Sequence, residues 1–263
     1  MGFIKWLRDQ PVPFRAFLRS CYHWIFRTSL PLRFWIVDNL GRGGPNLPPA
    51  RLRFRVTESL DTQVYAKTSI ATAQRLAEML AESGRPVESF LSILDFGCGC
   101  GRTMSNIPFR GKEFWGVDID PDSVEWCNAN IPNIRCKVTE PLPPLDFTDG
   151  QFDLIYAISV FTHLDFKFQC AWRDELFRIL APGGLLLFSI HGESISKDRI
   201  SEGGIAYMAS EKLHGILPEW YQTTYQTRDS VYEVFGSKFE TITFVAGGMG
   251  AQDVYLAYKH QPN

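Results

Sequence analysis

An apolar run that ends in a glycine-punctuated turn, Ser92-Ile-Leu-Asp-Phe-Gly-Cys-Gly-Cys-Gly-Arg102, constrains this chain more than any other stretch of its 263 residues. A strand that feeds straight into such a turn makes room at its carboxyl end for a nucleotide-like ligand. Glycine permits a sharp bend and close approach of backbone to ligand, and it lets amides point outward at a helix N-terminus. Alternating glycines also occur in ordinary tight turns, so Gly97, Gly99 and Gly101 need a matching acid before they point to a cofactor. Phe114-Trp-Gly-Val-Asp118 supplies it: this reads as a second short strand whose carboxylate lies 17 residues beyond Gly101, near the spacing at which such folds hold a ribose. Asp120, just ahead of Pro121, suits the cap of the helix that follows.

The chain resembles the class I S-adenosylmethionine-dependent methyltransferases, in the broad group that includes small-molecule and glycan enzymes. Leu94-Asp-Phe-Gly-Cys-Gly-Cys-Gly-Arg102 is similar to the first motif of that family, and Val117-Asp-Ile-Asp-Pro121 to its second-strand acidic motif. Phe152-Asp-Leu-Ile-Tyr156 resembles the fourth strand, and Leu180-Ala-Pro-Gly-Gly-Leu-Leu-Leu-Phe188 the entry into the fifth. The likeness spans about residues 90–190, and the tail to Lys259 resembles the closing hairpin. A nicotinamide-dependent dehydrogenase would carry Gly-x-Gly-x-x-Gly; here the third glycine falls one place early and Arg102 stands in its stead.

The resemblance implies an α/β fold: a doubly wound, seven-stranded, mostly parallel Rossmann-like sheet in the order 3-2-1-4-5-7-6, its last strand antiparallel. It implies S-adenosylmethionine as cofactor and S-adenosylhomocysteine as product. Asp95, Gly97, Gly99, Gly101 and Arg102 would surround the methionine end, Asp118 and Ile119 the ribose, Thr139 and Glu140 the adenine, and Ser159 the end of the fourth strand. Where Thr139 and Glu140 stand, the family commonly presents an Asp-containing turn.

Alternation of short apolar runs with helical stretches places strands near 114–118, 134–138, 152–158, 184–190, 239–246 and 252–258, and helices near 61–80, 122–129 and 167–180. Gly247-Gly-Met-Gly250 marks a hairpin between the last two strands. The expected organisation is a basic aromatic extension over 1–55 and a methyltransferase domain over 56–263, with a substrate-cap insertion over 192–235.

Charge is divided between these parts. The overall formal charge is −2, yet residues 1–55 hold ten Lys or Arg against Asp9 and Asp38, leaving +8 there and −10 in the remainder. Phe14, Phe17, Leu18, Cys21, Tyr22 and Ile25 follow helical spacing in this arm. Its apolar stripe needs a cover, and the candidates are the domain itself, an anionic membrane reached through residues 1–40, or a second subunit in a homo-oligomer. Nucleic acid is not expected, because the positive charge is confined to the arm. No 18-residue uncharged apolar run is present, so a spanning helix is not expected. Six irregularly spaced cysteines without a Cys-x-x-Cys pair favour a reduced, cytoplasmic setting, peripheral to the inner face of a membrane if the arm binds lipid. Cys98-x-Cys100 lacks nearby metal partners in the sequence and is expected to pack beside the cofactor; no metal is expected.

Reactive groups in such sheets collect at the carboxyl ends of strands. His163 follows the fourth strand and His191 the fifth, so each is a candidate general base toward a substrate hydroxyl. Glu193, Tyr207, Trp220, Tyr221, Tyr225 and Arg228 are candidate acceptor contacts: aromatic faces stack on rings, and a guanidinium pairs with phosphate or carboxylate. The expected activity is O-methylation of a sugar or other small hydroxylated acceptor. N-methylation of a small molecule, or a cofactor-binding scaffold at a membrane or complex, are the alternatives.

Overall fold

The structure, a computed structural model, describes residues 12–41, 47–200, 203–209, 221–239 and 241–261. Strands β1 (Ser92–Phe96), β2 (Glu113–Asp118), β3 (Arg135–Val138), β4 (Phe152–Ala157) and β5 (Leu180–Ile190) form the parallel part of one sheet. Leu154–Ala157 of β4 and Leu185–Phe188 of β5 read as unbroken apolar runs because helices cover both faces of the sheet centre. The order is β3-β2-β1-β4-β5-β9-β8, where β8 (Thr241–Val245) and β9 (Asp253–Tyr258) form the antiparallel closing hairpin. This is the expected order, the closing pair standing as its sixth and seventh strands.

On one face of the sheet, Phe96 and Phe188 pack with Phe161 against Trp172 and Leu176 of helix α5 (Phe166–Ile179) and Phe235 of helix α7 (Arg228–Phe235). The Phe188 ring stacks on Phe235 at 4.1 Å between centroids. On the other face, Phe114 and Tyr156 are buried with Leu76 and Met79 of α3 (Thr62–Glu82) and Val124 of α4 (Pro121–Asn130). Asp61 caps α3 by accepting from the Gln63 amide at 2.8 Å, and Asp165 caps α5 through the Phe168 amide at 2.9 Å.

Two elements lie ahead of this unit. The long helix α1 (Val12–Asn39) turns Phe26, Leu30 and Phe34 toward Phe54 of the short helix α2 (Ala50–Thr57). Asp38 closes the junction by accepting from the Ala50 amide at 2.8 Å. Among the described residues no helix is long and apolar enough to cross a membrane.

After β5 comes one helical turn, α6 (Glu193–Ser196), followed by a separate antiparallel pair, β6 (Ile205–Ala209) with β7 (Gln222–Gln226). The pair was not anticipated, since Gln222-Thr-Thr-Tyr-Gln226 lacks the apolar signature of a strand. It is held by main-chain bonds: the Thr224 amide reaches the Thr162 carbonyl at 2.7 Å, and the Gln226 amide reaches that of His191 at 3.0 Å. Buried Gln169 and Gln226 satisfy each other's side-chain amides at 3.1 and 3.2 Å.

Candidate active site

The carboxyl ends of β1, β2 and β4 open onto a cavity of about 1320 Å³. At its floor, Gly97 has φ of +79°, and a Cβ there would lie 2.3 Å from Val160 Cγ2, so only glycine fits. The next turn residue is fixed by the acid predicted for the ribose. The Gly99 amide donates to Asp118 Oδ2 at 2.7 Å, and the Asp120 amide to Oδ1 at 2.9 Å. Each carboxylate oxygen keeps a lone pair for a ligand hydroxyl.

Asp95 sits beneath the turn, 3 % exposed, and accepts the Tyr156 hydroxyl at 2.7 Å. Burial pushes its carboxyl up to about 8, against the lowering effect of that hydrogen bond. A cation placed beside it would restore the ionised form. Arg102 is the complement: it borders the same cavity and makes no ion pair among the described residues, and burial draws its guanidinium downward. A buried carboxyl and a half-buried guanidinium that attract each other without forming an ion pair fit the two charged ends of an amino acid moiety.

Helix α2 lies against this turn, which the sequence reading missed. Arg55 pairs with Asp120, Arg51 with Asp122 at 2.6 Å, and a Cβ on Gly99 would come within 2.8 Å of Val56 Cγ1. Two arginines four residues apart in α2, matched to two acids two apart at the start of α4, were the signal available. Asp120 occupies the cap position of α4 as expected, but its side chain accepts the Ser123 hydroxyl at 2.6 Å and pairs with Arg55 instead of capping an amide.

The hairpin brings the two histidines under one roof. His163 Nδ1 lies 3.0 Å from the Gln222 carbonyl. A carbonyl only accepts, so Nδ1 carries the proton and Nε2 keeps its lone pair. Burial draws His163 down to about 4, partly offset by that bond, which leaves it neutral at pH 7. Tyr221 stacks on its ring at 4.1 Å, and His191 stands edge-on at 6.4 Å. His191 is also lowered by burial, and its Nδ1 is buried without a partner. Tyr225 packs 5.1 Å from the His191 ring and accepts from Arg199 at 2.6 Å.

Ser159 borders the cavity in the left-handed region, with φ of +62°. A non-glycine residue there is strained by about 1–3 kcal/mol. It is held by its amide to Ser189 Oγ at 2.8 Å and by exchange with the Gln252 side chain at 2.9 Å, a residue the sequence reading also missed.

Ile119 and Thr139 border the cavity as well, whereas Glu140 does not. Gly101 faces away: a Cβ there would strike Ile131 Cδ1 at 2.2 Å, so it serves helix packing. Three expected acceptor contacts also lie off the cavity wall. The Tyr207 hydroxyl accepts from the Phe166 amide at 3.1 Å at the start of α5. Glu193 accepts from the Arg228 amide at 2.8 Å, and the Arg228 guanidinium lies 3.9 Å over the Phe244 ring. A free helix amide and an aromatic face nearby claim these charges first. Trp220 lies outside the described residues.

Cys98 and Cys100 do not act as a pair. Cys100 Sγ meets the Tyr65 hydroxyl at 3.5 Å, while the Cys98, Cys127 and Cys136 thiols lie within 4.8 Å of one another in the core behind the turn. Three soft ligands at that spacing have the chemistry for a thiophilic ion. They also pack as small apolar groups, and Gly116 leaves the space that Cys98 and Cys136 fill.

Residues 94–188 match a family described as a methyltransferase domain. A malonyl-[acyl-carrier protein] O-methyltransferase from Porphyromonas gingivalis is 25% identical over 177 residues, 66% of each chain. The chain spans 30–66% of the length of the first curated relatives it matches. Among solved structures, a protein from Pyrococcus horikoshii OT3 aligns over 79% of this chain and 98% of its own, with a TM-score of 0.54 and 18% identity. A second, an amino pentose methyltransferase from Micromonospora echinaspora with S-adenosylmethionine bound, aligns over 73% and 91% with a TM-score of 0.51 and 15% identity. At these identities the structural likeness is one of fold.

Proposed function

We propose, on the premise that residues 94–188 form a class I S-adenosylmethionine-dependent methyltransferase domain, that this enzyme methylates the oxygen of a sugar or other small hydroxylated acceptor. The bound cofactor supplies an electrophilic methyl group on a sulfonium. Asp95 and Arg102 hold the charged ends of its amino acid portion, and Asp118 accepts from the ribose hydroxyls. Ile119 flanks the ribose and Thr139 the far end.

The observation that carries the oxygen-acceptor reading is the state of His163. Its Nδ1 proton is committed to the Gln222 carbonyl, so the neutral ring offers Nε2 as an acceptor. A hydroxyl nucleophile has to lose its proton, whereas a neutral amine attacks with its own lone pair. A base of this kind is therefore most useful to oxygen. Burial weakens this base, so it takes the proton only as bond formation makes the hydroxyl a far stronger acid. Tyr221 and Tyr225 form flat walls beside the two rings, the kind of surface on which sugar or aromatic rings rest. The O-methyltransferase name of the Porphyromonas gingivalis relative supports the same chemistry.

Calorimetric titration with S-adenosylmethionine, followed by turnover on a panel of hydroxylated and amino acceptors, tests the reading. His163→Gln is expected to bind the cofactor as the native chain does and to lose turnover on hydroxylated acceptors by about 10²–10⁴-fold. Undiminished turnover would remove His163 as base, and activity on amines alone would replace the oxygen acceptor with nitrogen.

A further inference from the structure

The helix α1 is apolar on two sides, and the domain covers one of them. Phe26, Leu30 and Phe34 recur every four residues and meet Phe54, Leu60 and Tyr221. On the opposite side Trp24, Ile25, Leu32, Trp35 and Ile36 follow the same helical repeat, and they are 68, 57, 61, 55 and 41 % exposed. Soluble surfaces carry single exposed apolar residues without consequence, but a contiguous stripe holding two tryptophans marks a contact surface.

We propose that this outer face of α1 docks on an anionic lipid bilayer. Three observations choose that occupant. Residues 1–40 carry six Lys or Arg against Asp9 and Asp38, a net +4, while the rest of the chain carries −6, so the arm is drawn to a negative surface, and two such arms face to face repel. Tryptophan and aliphatic groups beside arginines are the composition that settles at the boundary between headgroups and acyl chains. The polar side chains of Thr28 and Asn39 beside the stripe are already satisfied within the helix. The Thr28 hydroxyl bonds the Trp24 carbonyl at 2.9 Å and the Asn39 amide bonds that of Trp35 at 2.9 Å, so burying the stripe strips little hydrogen bonding from water. With no described helix able to cross a bilayer, the arm lies on the surface.

The inner face gives docking a consequence. It packs on Tyr221, which stacks on His163, so the element that meets lipid also supports the wall beside the candidate base. That consequence rests on the oxygen-methylation reading; the docking itself does not.

Co-sedimentation of the full chain with phosphatidylglycerol–phosphatidylcholine vesicles and with phosphatidylcholine vesicles alone tests the proposal. Binding to the anionic vesicles, weakened by salt, is the expected result. A Trp24→Ser, Leu32→Ser, Trp35→Ser chain is expected to bind about a hundredfold more weakly while keeping its affinity for S-adenosylmethionine. Equal binding by the two chains, or none by either, would overturn it. So would a native dimer that the three substitutions convert to a monomer without vesicle binding, since a second copy then covers the face. Should the triple variant lose cofactor binding as well, brominated lipid decides with single substitutions. Quenching of native tryptophan fluorescence that falls in both Trp24→Phe and Trp35→Phe upholds docking, and unquenched fluorescence overturns it.

Discussion

Asp95 and His163 are both held away from their ordinary protonation by burial, and the consequences run in opposite directions. Asp95 is pushed up to about 8, and a cation beside it would restore its ionised form. Asp95→Asn keeps an acceptor for the Tyr156 hydroxyl but removes the charge, so the fold is expected to persist while S-adenosylmethionine affinity falls about 10- to 100-fold, measured by calorimetry. His163 lies at about 4, below the 6.5 of an unfolded chain. Above pH 6.5 both states are neutral and the stability it permits is fully present. As pH falls through 6.5 the unfolded chain takes up a proton that the folded chain refuses until about 4, and stability is lost across that window. At pH 5 the loss is about 2 kcal/mol. Denaturant unfolding at pH 7 and pH 5 should therefore show a smaller difference for His163→Gln than for the native chain. The same depression sets the rate profile: the acidic limb of kcat/KM is expected near pH 4, and a limb at 6.5 would mean a solvent-like imidazole.

At the scale of elements, the cofactor turn is shaped by β1 and β2 but steadied by α2, which precedes both in the chain. Arg55→Ala leaves the Asp120 carboxylate, mostly buried, without its cation and removes one of the two ion pairs that tie α2 to α4 beside the turn. A loss of about 1–2 kcal/mol in thermal unfolding is expected, with weaker cofactor binding; unchanged binding would confine α2 to packing. What was legible in the sequence follows from which forces leave a local trace. β4 and β5 were readable because strands buried on both faces need consecutive apolar residues, and the turn because Gly97 admits no other side chain. β7 was not readable. Thr224 and Gln226 are fully buried polar residues in a strand stabilised by bonds to the loops after β4 and β5, and such bonds leave no periodicity behind. Arg228 and Glu193 misled for a related reason: a charge announces its chemistry, while the Phe244 ring or helix amide that claims it lies elsewhere in the chain.

For the whole molecule, the open cavity, the buried Asp95 and an Arg102 without an ion pair among the described residues together mean that part of the folding free energy is held back until the cofactor arrives. A ligand that binds only the folded state adds RT ln(1 + [L]/Kd), about 2.7 kcal/mol at a hundredfold excess over Kd. For a chain of this size that corresponds to a rise of about 5–10 °C in Tm. The native chain should show this shift with S-adenosylmethionine and not with NADH, because the ribose acid and glycine turn alone do not supply the paired Asp95 and Arg102 charges with their complement. Asp118→Ala separates the two halves of that site. It removes the acceptor for the Gly99 and Asp120 amides together with the ribose contact, so it is expected to lower the ligand-free Tm and also to abolish most of the shift. A variant that lost the shift with an unchanged ligand-free Tm would place Asp118 on the ligand alone. One that lost stability but kept the shift would place it in the turn and move the ribose elsewhere along the cavity.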